Sequence, residues 1–452
     1  MDQLADDVQT RSRLTARVAL PIFRRTAIGG ARITSPRRST MRVPAQPLHL
    51  SYCTNIHPGE SWAEVRANLE RYLVPVRERV SPGRPFGVGL RLSAESARAL
   101  AAPEALEELR AFLGAHDLYV FTINGFPYGP FHGRPVKEQV YLPDWLDPER
   151  LAYTDQLADI LAALLPEGLE GTISTVPGAF APRVRGEGDQ ARMAEALLDH
   201  VAHLVRLRDA TGRRVALALE PEPCCFLETI AQAVTFFERH LFSAGAVARV
   251  SSSAGLSPGA AATAIREHLG VCLDACHMAV EFEDPAQVLD ALRVAKIRVP
   301  KVQVTAGLRV ELRDGDDATL NALSAFADDV YLHQVVERRA DGTLTRHLDL
   351  PQALAAARAG TGQGTREWRV HFHVPVFRER YGVFEGTQGY VAELLRLIVE
   401  HETSCHFEVE TYTWDVLPEE FRREGIVGGI AREVEWAAAT LRVAGWSVNG
   451  FQ

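Results

Sequence analysis

The sequence predicts an α/β fold, a (β/α)₈ TIM barrel, and three observations lead to this prediction. Short apolar runs alternate with longer amphipathic runs from about residue 46 onward. Such alternation indicates parallel strands joined by crossover helices. Seven strand–helix units exceed an ordinary nucleotide-binding sheet and favour a closed barrel. The 452 residues suit one large barrel with insertions or two ordinary domains, and no linker marks a second domain.

The predicted strands and helices follow one another in regular order. Strands buried on both faces are expected to be apolar throughout, and such runs lie at 48–53, 86–92, 119–123, 171–176, 215–219, 270–273 and 301–304. Apolar residues at helical spacing predict the helices between them, at 61–76, 103–113, 148–165, 189–209, 230–241, 260–268 and 285–294.

The late part of the chain contains more strand candidates than a barrel needs. Runs at 331–336, 369–374 and 406–409 read as strands, and 387–401 reads as a helix. This makes ten strands where eight are required. We therefore expect an excursion of about residues 308–367 that decorates the barrel. Which of the later strands lie in the barrel wall stays open.

Composition and charge bear on the N-terminus, the partners and the location of the protein. Residues 1–40 carry eight arginines and three aspartates with little periodicity, so 1–45 is expected to be a disordered or mis-started extension before a barrel domain at 46–452. A net charge of −9 argues against nucleic acid as a partner. The sequence contains no run of eighteen apolar residues and therefore predicts no membrane span. Six cysteines without a CxxC pair favour a reducing, cytoplasmic location.

Carboxylate and imidazole side chains follow the ends of several predicted strands, where barrel enzymes place their catalytic groups. They are Glu220, Glu222, Asp274, His277, His371, His373, Glu408 and Glu410. Buried carboxylates are costly unless they are paired or metal-bound. Two or three carboxylates with an imidazole match a divalent cation of the Mn²⁺, Co²⁺, Mg²⁺ or Zn²⁺ group. Each acid taken singly also fits an ordinary ion pair, but the set at consecutive strand ends favours a metal site.

A long polar loop follows the third predicted strand and is the second candidate region. It begins at Asn124 and includes His132 and Lys137 among prolines and glycines. Loops after barrel strands often build the substrate pocket. Lys137 is a candidate point charge for an anionic substrate group, or a lysine on a solvated loop. His57, shortly after the first strand, is a candidate base at the barrel mouth.

The motif Val-Cys-Leu-Asp-Ala-Cys-His-Met at 271–278 resembles the metal-binding strand of xylose isomerase-like TIM barrels, which include sugar phosphate isomerases, ketose 3-epimerases and endonuclease IV. The resemblance implies that Glu220, Asp274 and Glu410 are metal ligands and that His277 lies beside the substrate or metal. It also implies that Glu228 is a second acid on the substrate side, although at a longer spacing than in the epimerases.

The sequence departs from that family at the imidazole ligand. Glutamine, at Gln303, stands where the strand after Asp274 is expected to carry histidine. Either Gln303 binds weakly in its place, or His373 supplies the imidazole from a later strand. His373 is favoured because neutral imidazole binds these metals better than an amide does.

A more extended resemblance, covering nearly the whole chain from about residue 46, is to the EboE family of metabolite traffic proteins. The resemblance rests on sequence runs that include Tyr-Cys-Thr-Asn-Ile-His at 52–57, Asn-Gly-Phe-Pro-Tyr-Gly at 124–129, Lys-Glu-Gln-Val-Tyr at 137–141 and Leu-His-Gln at 332–334. The resemblance implies a small-molecule metabolite in a secondary-metabolite pathway. It also implies gene-cluster partners that include a membrane prenyltransferase-like protein.

The leading functional hypothesis is a metal-assisted isomerase or epimerase. The cation polarises a hydroxy-carbonyl unit, Glu220 or Glu410 removes a proton, and the other carboxylate or His277 returns it. One alternative is a phosphoesterase in the manner of endonuclease IV, to which His371 and other histidines contribute. The other alternative is a non-catalytic protein with an eroded metal site that binds a metabolite and hands it on; Gln303 favours this alternative.

Overall fold

The computed structural model describes residues 47–360 and 364–445, so the predicted extension at 1–45 lies outside the described residues. Fourteen strands are found in this part of the chain. They are β1 His49–Tyr52, β2 Phe86–Arg91, β3 Leu118–Asn124, β4 Gly171–Thr175, β5 Val215–Leu219, β6 Leu269–Asp274, β7 Arg298–Val304, β8 Ala306–Leu312, β9 Val335–Arg339, β10 Leu344–His347, β11 Arg366–Val374, β12 Arg380–Tyr381, β13 Phe384–Gly386 and β14 His406–Val409.

Eight parallel strands form the barrel and confirm the predicted TIM fold. Their order is β1-β14-β7-β6-β5-β4-β3-β2, and each neighbouring pair is parallel. A parallel bridge between Cys53 and Gly89 joins the first strand to the second and completes the ring. The Gly89 amide also donates to Ser51 Oγ at 2.9 Å. All seven early strands that the sequence predicts lie in this wall.

Helices connect the strands of both sheets. They are α1 Trp62–Asn68, α2 Val74–Val80, α3 Ala94–Leu100, α4 Pro103–Ala115, α5 Pro148–Leu164, α6 Glu187–Thr211, α7 Ile230–Phe236, α8 Ala244–Ala254, α9 Pro258–His268, α10 Ala275–Val280, α11 Pro285–Ala295, α12 Asp317–Leu323, α13 Leu350–Arg358, α14 Gln388–Glu400 and α15 Gly425–Val443. Among the described residues, every helix is too short or too polar to cross a bilayer.

Capping residues in the sequence explain where α1 and α7 begin. Ser61 and Thr229 form capping boxes with the residue three positions later, which satisfies free backbone amides at the starts of α1 and α7. Single π turns at Leu69–Leu73 and Phe237–Leu241 continue these two helices. The sequence-based helices at 61–76 and 230–241 therefore cover these helical stretches and their π turns.

A second, antiparallel sheet separates β7 from β14 in the chain. Its strand order is β10-β9-β11-β8-β13-β12. Of the predicted strand at 331–336 only the last two residues lie in β9, because 331–334 forms no strand. The predicted strand at 369–374 lies in β11 of the same sheet, whereas 406–409 is β14 and completes the barrel. The question of which late strand lies in the wall is thus decided by pairing, since β11 binds β8 and β9 while β14 binds β7 and β1. The predicted excursion at 308–367 falls inside the longer segment 306–386.

A fully buried ion pair fills part of the barrel interior. Lys301 Nζ on β7 lies 2.6 Å from Glu408 Oε2 on β14, and both side chains are 0% exposed. The ammonium group also donates to Ser174 Oγ at 3.2 Å. Gly89 on β2 leaves the space for this acid, because a Cβ there would lie 1.8 Å from Glu408 Oε1. Glu408 is therefore neutralised within the barrel, and Glu410 two residues later is left for the site.

Candidate metal centre

Three acids converge at the carboxyl ends of barrel strands. Glu220 follows β5, Asp274 ends β6, and Glu410 follows β14. Their side chains are all buried. One oxygen from each lies within 4.8 Å of the others, which is close enough for one ion to contact all three. The structure thus brings together three of the predicted ligands, and we call Glu220, Asp274 and Glu410 the acid cluster.

Asp274 is oriented by its position at the start of a helix. It caps α10, and its Oδ1 accepts hydrogen bonds from the His277 amide at 2.9 Å and Thr305 Oγ1 at 2.7 Å. Aspartate is a favoured residue at this position because its oxygen satisfies a free helix amide. The other oxygen, Oδ2, has no hydrogen-bond partner in the described part of the chain. One face of the carboxylate is therefore fixed, and the other is free to bind a ligand.

Two amides orient Glu410. Asn55 Nδ2 and Asn124 Nδ2 donate to its Oε1 at 2.7 and 2.6 Å. The Asn124 amide is itself fixed, because its Oδ1 accepts from the Phe126 amide at 3.0 Å. Asn124, predicted to bind substrate, thus acts on the site through Glu410.

Burial and mutual repulsion raise the proton affinity of the acid cluster. Burial and the nearby Asp274 charge raise the pKa of Glu220 to about 7. Burial, Glu220 and Asp274 hold the pKa of Glu410 well above its usual range. At an effective dielectric constant of about 20, unit charges 4.8 Å apart repel by about 3.5 kcal/mol, so three ionised acids repel by about 10 kcal/mol in all. The cluster therefore needs either protons or a cation near neutral pH.

Three buried histidines lie beside the acid cluster. His277 comes from α10, while His371 and His373 come from β11 of the antiparallel sheet. The Nε2 atoms of His277 and His371 are 3.0 Å apart, and those of His371 and His373 are 3.1 Å apart. His373 Nε2 lies 3.9 Å from Asp274 Oδ2. We call these three residues the imidazole cluster.

The histidines differ in their affinity for protons. Burial and the neighbouring His277 and His373 hold the pKa of His371 well below its usual range. Burial lowers the pKa of His373 to about 4 despite the Asp274 charge. Burial also opposes charge on His277, but Asp274, Glu222 and Glu220 outweigh it and raise its pKa. His371 and His373 are therefore neutral imidazoles near neutral pH, the form that binds metals.

The cavity above the two clusters is lined by aromatic side chains as well as by the acids and imidazoles. Its lining residues are Asn55, Phe126, Pro127, Phe131, Lys137, Val140, Tyr141, Glu220, Glu222, His277, Tyr331, Leu332, His371, His373, Glu410 and Tyr412. Seven of them, namely Glu220, Glu222, His277, His371, His373, Glu410 and Lys137, are predicted site residues.

Lys137 is engaged in the structure rather than directed at a substrate anion. Its Nζ donates to the Asp328 carbonyl at 2.9 Å, the Tyr331 carbonyl at 2.7 Å and Asp349 Oδ2 at 2.8 Å. An ammonium group has three donors, so all of them are used. Lys137 therefore ties the loop after β3 to the inserted segment.

His57 and His132 also have structural partners. His57 stacks on Tyr72 with ring centroids 4.3 Å apart, and its Nε2 is 3.0 Å from the Tyr52 hydroxyl. This places His57 in the core outside the cavity, and burial lowers its pKa to about 3. His132 Nε2 donates to the Asn55 carbonyl at 2.6 Å, and its Nδ1 accepts from the Tyr331 hydroxyl at 2.8 Å. His132 thus positions Asn55, which in turn holds Glu410.

The remaining predicted residues occupy three different environments. Glu222 lines the cavity and accepts from the Tyr141 hydroxyl at 2.7 Å. Glu228 accepts from the Cys224 amide at 2.8 Å, outside the cavity lining. Gln303 is fully buried beside Asp274 in the strand register, and neither of its amide atoms has a partner among the residues described.

The sequence interpretation missed several cavity residues. Asn55, Tyr331 and Tyr412 line the cavity and Gln334 lies next to it, and none of the four was predicted, although each contacts a predicted histidine or acid. A signal for Asn55 and Gln334 was present in the runs at 52–57 and 332–334, where polar and aromatic residues interrupt apolar segments. Only the folded chain shows that these separate runs meet.

No protein-family model and no curated protein matches the chain. Among solved structures, it is similar to the IolI protein with a bound zinc atom, at 12% identity over 88% of this chain and 99% of that chain, with a TM-score of 0.39. It is also similar to a xylose isomerase-like TIM barrel protein from Mycobacterium smegmatis in complex with magnesium, at 14% identity over 88% of this chain and 97% of that chain, with a TM-score of 0.45. A third similar structure is an L-ribulose 3-epimerase, at 13% identity over 88% of this chain and 96% of that chain, with a TM-score of 0.42. These likenesses concern the barrel fold.

Proposed function

We propose that this protein is a divalent-metal-dependent isomerase or epimerase that acts on a small hydroxy-carbonyl metabolite. The observation that carries the proposal is the convergence of Glu220, Asp274 and Glu410 within 4.8 Å. Glu220 Oε2 and Asp274 Oδ2 have no hydrogen-bond partner in the described residues, so free oxygens are present where a cation requires ligands. Oxygen donors of this kind suit Mg²⁺, Mn²⁺, Co²⁺ or Zn²⁺.

Proton transfer is the chemistry that the acid cluster supports. A bound cation supplies polarisation of the substrate carbonyl, which acidifies the adjacent C–H. Glu220, a buried carboxylate with one oxygen that has no hydrogen-bond partner among the described residues, is placed to remove that proton, while the C–H electron pair moves toward the carbonyl oxygen. Glu410 or His277, which line the same cavity, is placed to return a proton to carbon. Return to the opposite face of the same carbon gives an epimer. Return to the former carbonyl carbon, with the hydroxyl proton passing to the former carbonyl oxygen, gives an isomer.

The cavity walls support a metabolite that has an apolar part. Phe126, Phe131, Tyr331 and Tyr412 surround the space above the acids. The Tyr331 hydroxyl is bound to His132, so this ring presents mainly apolar surface. An unbranched polyol gains little from such walls, whereas a ring or alkyl group buries surface against them at about 25 cal/mol per Å².

The same proposal includes an EboE-like role in secondary metabolism, in the cytoplasm, with a membrane prenyltransferase-like protein as partner and no nucleic acid. The sequence runs at 52–57, 124–129 and 332–334 support it, and all three lie at or next to the cavity. Co-purification of the tagged full chain with membranes that contain the prenyltransferase-like protein tests this role. Absence of the chain from those membranes would contradict it.

Solvent exchange tests the enzymatic proposal directly. The full chain, loaded with Mn²⁺, is incubated in D₂O with hydroxyacetone or 2-hydroxyacetophenone. Both compounds carry the hydroxy-carbonyl unit, and only 2-hydroxyacetophenone also carries a ring. We expect deuterium to enter the carbon next to the carbonyl, faster for the ring-bearing compound, with loss of exchange in Glu220→Gln. Glu433→Gln is the matched control, because Glu433 is also a buried acid but lies outside the acid cluster. Exchange at equal rates in Glu220→Gln and wild type would exclude the proposed base.

A further inference from the structure

Glu222 is a buried acid in the cavity that the proposed proton transfer does not use. Its side chain is 7% exposed and lies in the loop after β5. Its Oε1 accepts hydrogen bonds from the Tyr141 hydroxyl at 2.7 Å and from Gln334 Nε2 at 3.4 Å. Its Oε2 accepts none from the described residues, although Glu222 lines the cavity. One oxygen of the carboxylate is therefore held in place, and the other is available to a ligand.

Two other buried acids of the fold show how such a charge is balanced. Glu408 Oε2 lies 2.6 Å from Lys301 Nζ, and Glu281 Oε2 lies 2.5 Å from Arg346 Nη2. A buried charge is costly unless it has a partner of this kind. In the described part of the chain, the ion-pair contact of Glu222 is to a histidine, and no lysine or arginine nitrogen lies within 4.0 Å of its carboxylate.

The histidine next to Glu222 does not supply the missing charge. His371 Nδ1 lies 3.8 Å from Glu222 Oε1 and only 2.6 Å from Gln334 Oε1, which is its hydrogen-bond partner. Burial and the neighbouring imidazoles hold the pKa of His371 well below its usual range, so the ring is neutral. Burial also raises the pKa of Glu222, although His277 and the hydrogen bond from Tyr141 oppose this rise. A ligand cation beside Oε2 favours the ionised carboxylate.

The cavity as a whole has an excess of negative charge. Four carboxyl groups line it or belong to the acid cluster, namely Glu220, Glu222, Asp274 and Glu410. When all four are ionised, a divalent cation balances two charges and a protonated His277 a third, so one negative charge remains. Lys137 is the one lysine or arginine of the lining that the structure describes, and its three donors already bind protein oxygens. The cavity therefore repels a phosphate or carboxylate group and attracts an organic cation.

Aromatic rings form much of the remaining wall. The rings of Phe131, Tyr331 and Tyr412 lie with their centroids 5.1–5.2 Å apart. Beside Glu222, the ring centroids of Phe126 and Tyr141 lie 5.7 Å apart. The face of an aromatic ring carries partial negative charge and attracts a cation, most strongly where water is excluded. The walls thus favour the same kind of group as the free oxygen of Glu222.

We propose that the substrate carries an ammonium group, which Glu222 Oε2 and the aromatic walls of the cavity bind. A protonated amine donates a charge-assisted hydrogen bond to Oε2, while its alkyl or ring part contacts the aromatic faces. This inference rests on the proposed function and names the substrate class. That class is the hydroxy ketones and hydroxy aldehydes that carry an amine, in contrast to sugar phosphates and sugar acids.

A pair of ligands that differ in charge tests the ammonium site. Binding of 2-phenylethylamine, a cation at neutral pH, is compared with binding of the uncharged 2-phenylethanol by calorimetry on the full chain in excess Mn²⁺. We expect the amine to bind at least about tenfold more tightly, because a hydrogen bond to a charged group is worth more than one between neutral groups. Glu222→Gln, which still accepts from Tyr141, should bind both compounds equally. Glu433→Gln, which removes a buried acid outside the cavity lining, should keep the preference.

The outcomes separate this inference from the proposed function, because binding is measured without turnover. Equal affinity of the wild-type chain for the two compounds overturns the ammonium site and leaves the deuterium exchange test untouched. A preference for the amine without any deuterium exchange refutes the proposed function and retains the ammonium site.

The variant supplies two further ways to overturn the inference. A preference that persists in Glu222→Gln would place the ammonium group at the acid cluster instead. Loss of bound manganese in this variant, counted by elemental analysis, would make Glu222 a metal ligand. Circular dichroism establishes that Glu222→Gln is folded, and Glu222→Ala, with the same expected loss of preference, replaces it if it is not.

Discussion

Replacing Glu220 by glutamine tests the electrostatics of the acid cluster. Glutamine keeps the shape of the side chain and removes its charge. Glu220 Oε2 has no hydrogen-bond partner in the described structure, so the change breaks no bond at that oxygen. The variant therefore isolates the effect of one titrating carboxyl that burial and Asp274 make unfavourable when it is ionised.

The magnitude follows from the pKa. The folded pKa of Glu220 is raised from the ordinary value of 4.5 to about 7. Between these values the folded chain holds the proton and the unfolded chain releases it, so the Glu220 contribution to stability is present below pH 4.5 and is lost as pH rises to about 7. At about 1.4 kcal/mol per pH unit the loss is about 3 kcal/mol. Metal-free Glu220→Gln should avoid this loss.

Urea unfolding at several pH values between 4.5 and 8 measures the difference. In chelator, Glu220→Gln should gain about 3 kcal/mol relative to wild type across this range. In excess Mn²⁺ the gain should disappear, because a cation bound to the wild-type cluster stabilises the ionised acid. The comparison with wild type cancels the opposite pH dependence of buried histidines such as His373.

Glu433 provides the matched control. Burial also raises its pKa to about 7, but it accepts from Thr411 Oγ1 and the Val376 amide and lies outside the acid cluster. Glu433→Gln should show a similar pH-dependent gain in chelator that Mn²⁺ leaves unchanged. A flat difference between Glu220→Gln and wild type from pH 4.5 to 8 would refute the electrostatic reasoning.

Three further predictions concern the barrel interior and the loop. Lys301→Met should lower the free energy of unfolding by about 3–5 kcal/mol, because Glu408 is left buried and unpaired. Adding Glu408→Gln to this variant should recover part of the lost stability. A urea midpoint of Lys301→Met equal to that of wild type would contradict this prediction. Gly89→Ala should lower the free energy of unfolding by about 3 kcal/mol or more, because the new methyl group clashes with Glu408. Gly114→Ala, where the new methyl group meets open space on α4, should raise it by up to about 1 kcal/mol in the same assay. Lys137→Met should lower the melting temperature through loss of a charge-assisted hydrogen bond of about 2 kcal/mol, and an unchanged melting temperature would contradict this structural role.

The acids of the site were accessible to sequence reasoning because a barrel imposes a simple rule. Parallel strands end at the same face, so acids that follow strand ends meet there even when they are far apart in the chain. Glu220, Asp274 and Glu410 follow this rule. Lys137 does not, because its three hydrogen bonds are made to residues 328–349 of a segment whose path no local pattern specifies.

The histidines show the limit of the same reasoning. Their spacing in the sequence places His371 and His373 on one face of a strand, and β11 has that geometry. The sequence could not assign the strand to a sheet, because β11 and β14 are both apolar runs. Long-range pairing with β8 and β9 decides the matter and brings these imidazoles to His277.

The amino-acid sequence by itself determined the barrel and the presence of acids at its mouth, because periodicity and strand-end position are local properties that a (β/α)₈ fold converts into fixed places. The tertiary structure alone decided which late strand completes the ring, which cations are already paired, and that three histidine rings lie beside an Asp274 oxygen that has no hydrogen-bond partner in the described residues. These features depend on contacts between residues far apart in the chain, as Asn55 and Glu410 are at 355 positions. Pairing of β1 with β14 brings that pair together, and pairing of β11 with β8 and β9 brings the histidines to the barrel mouth.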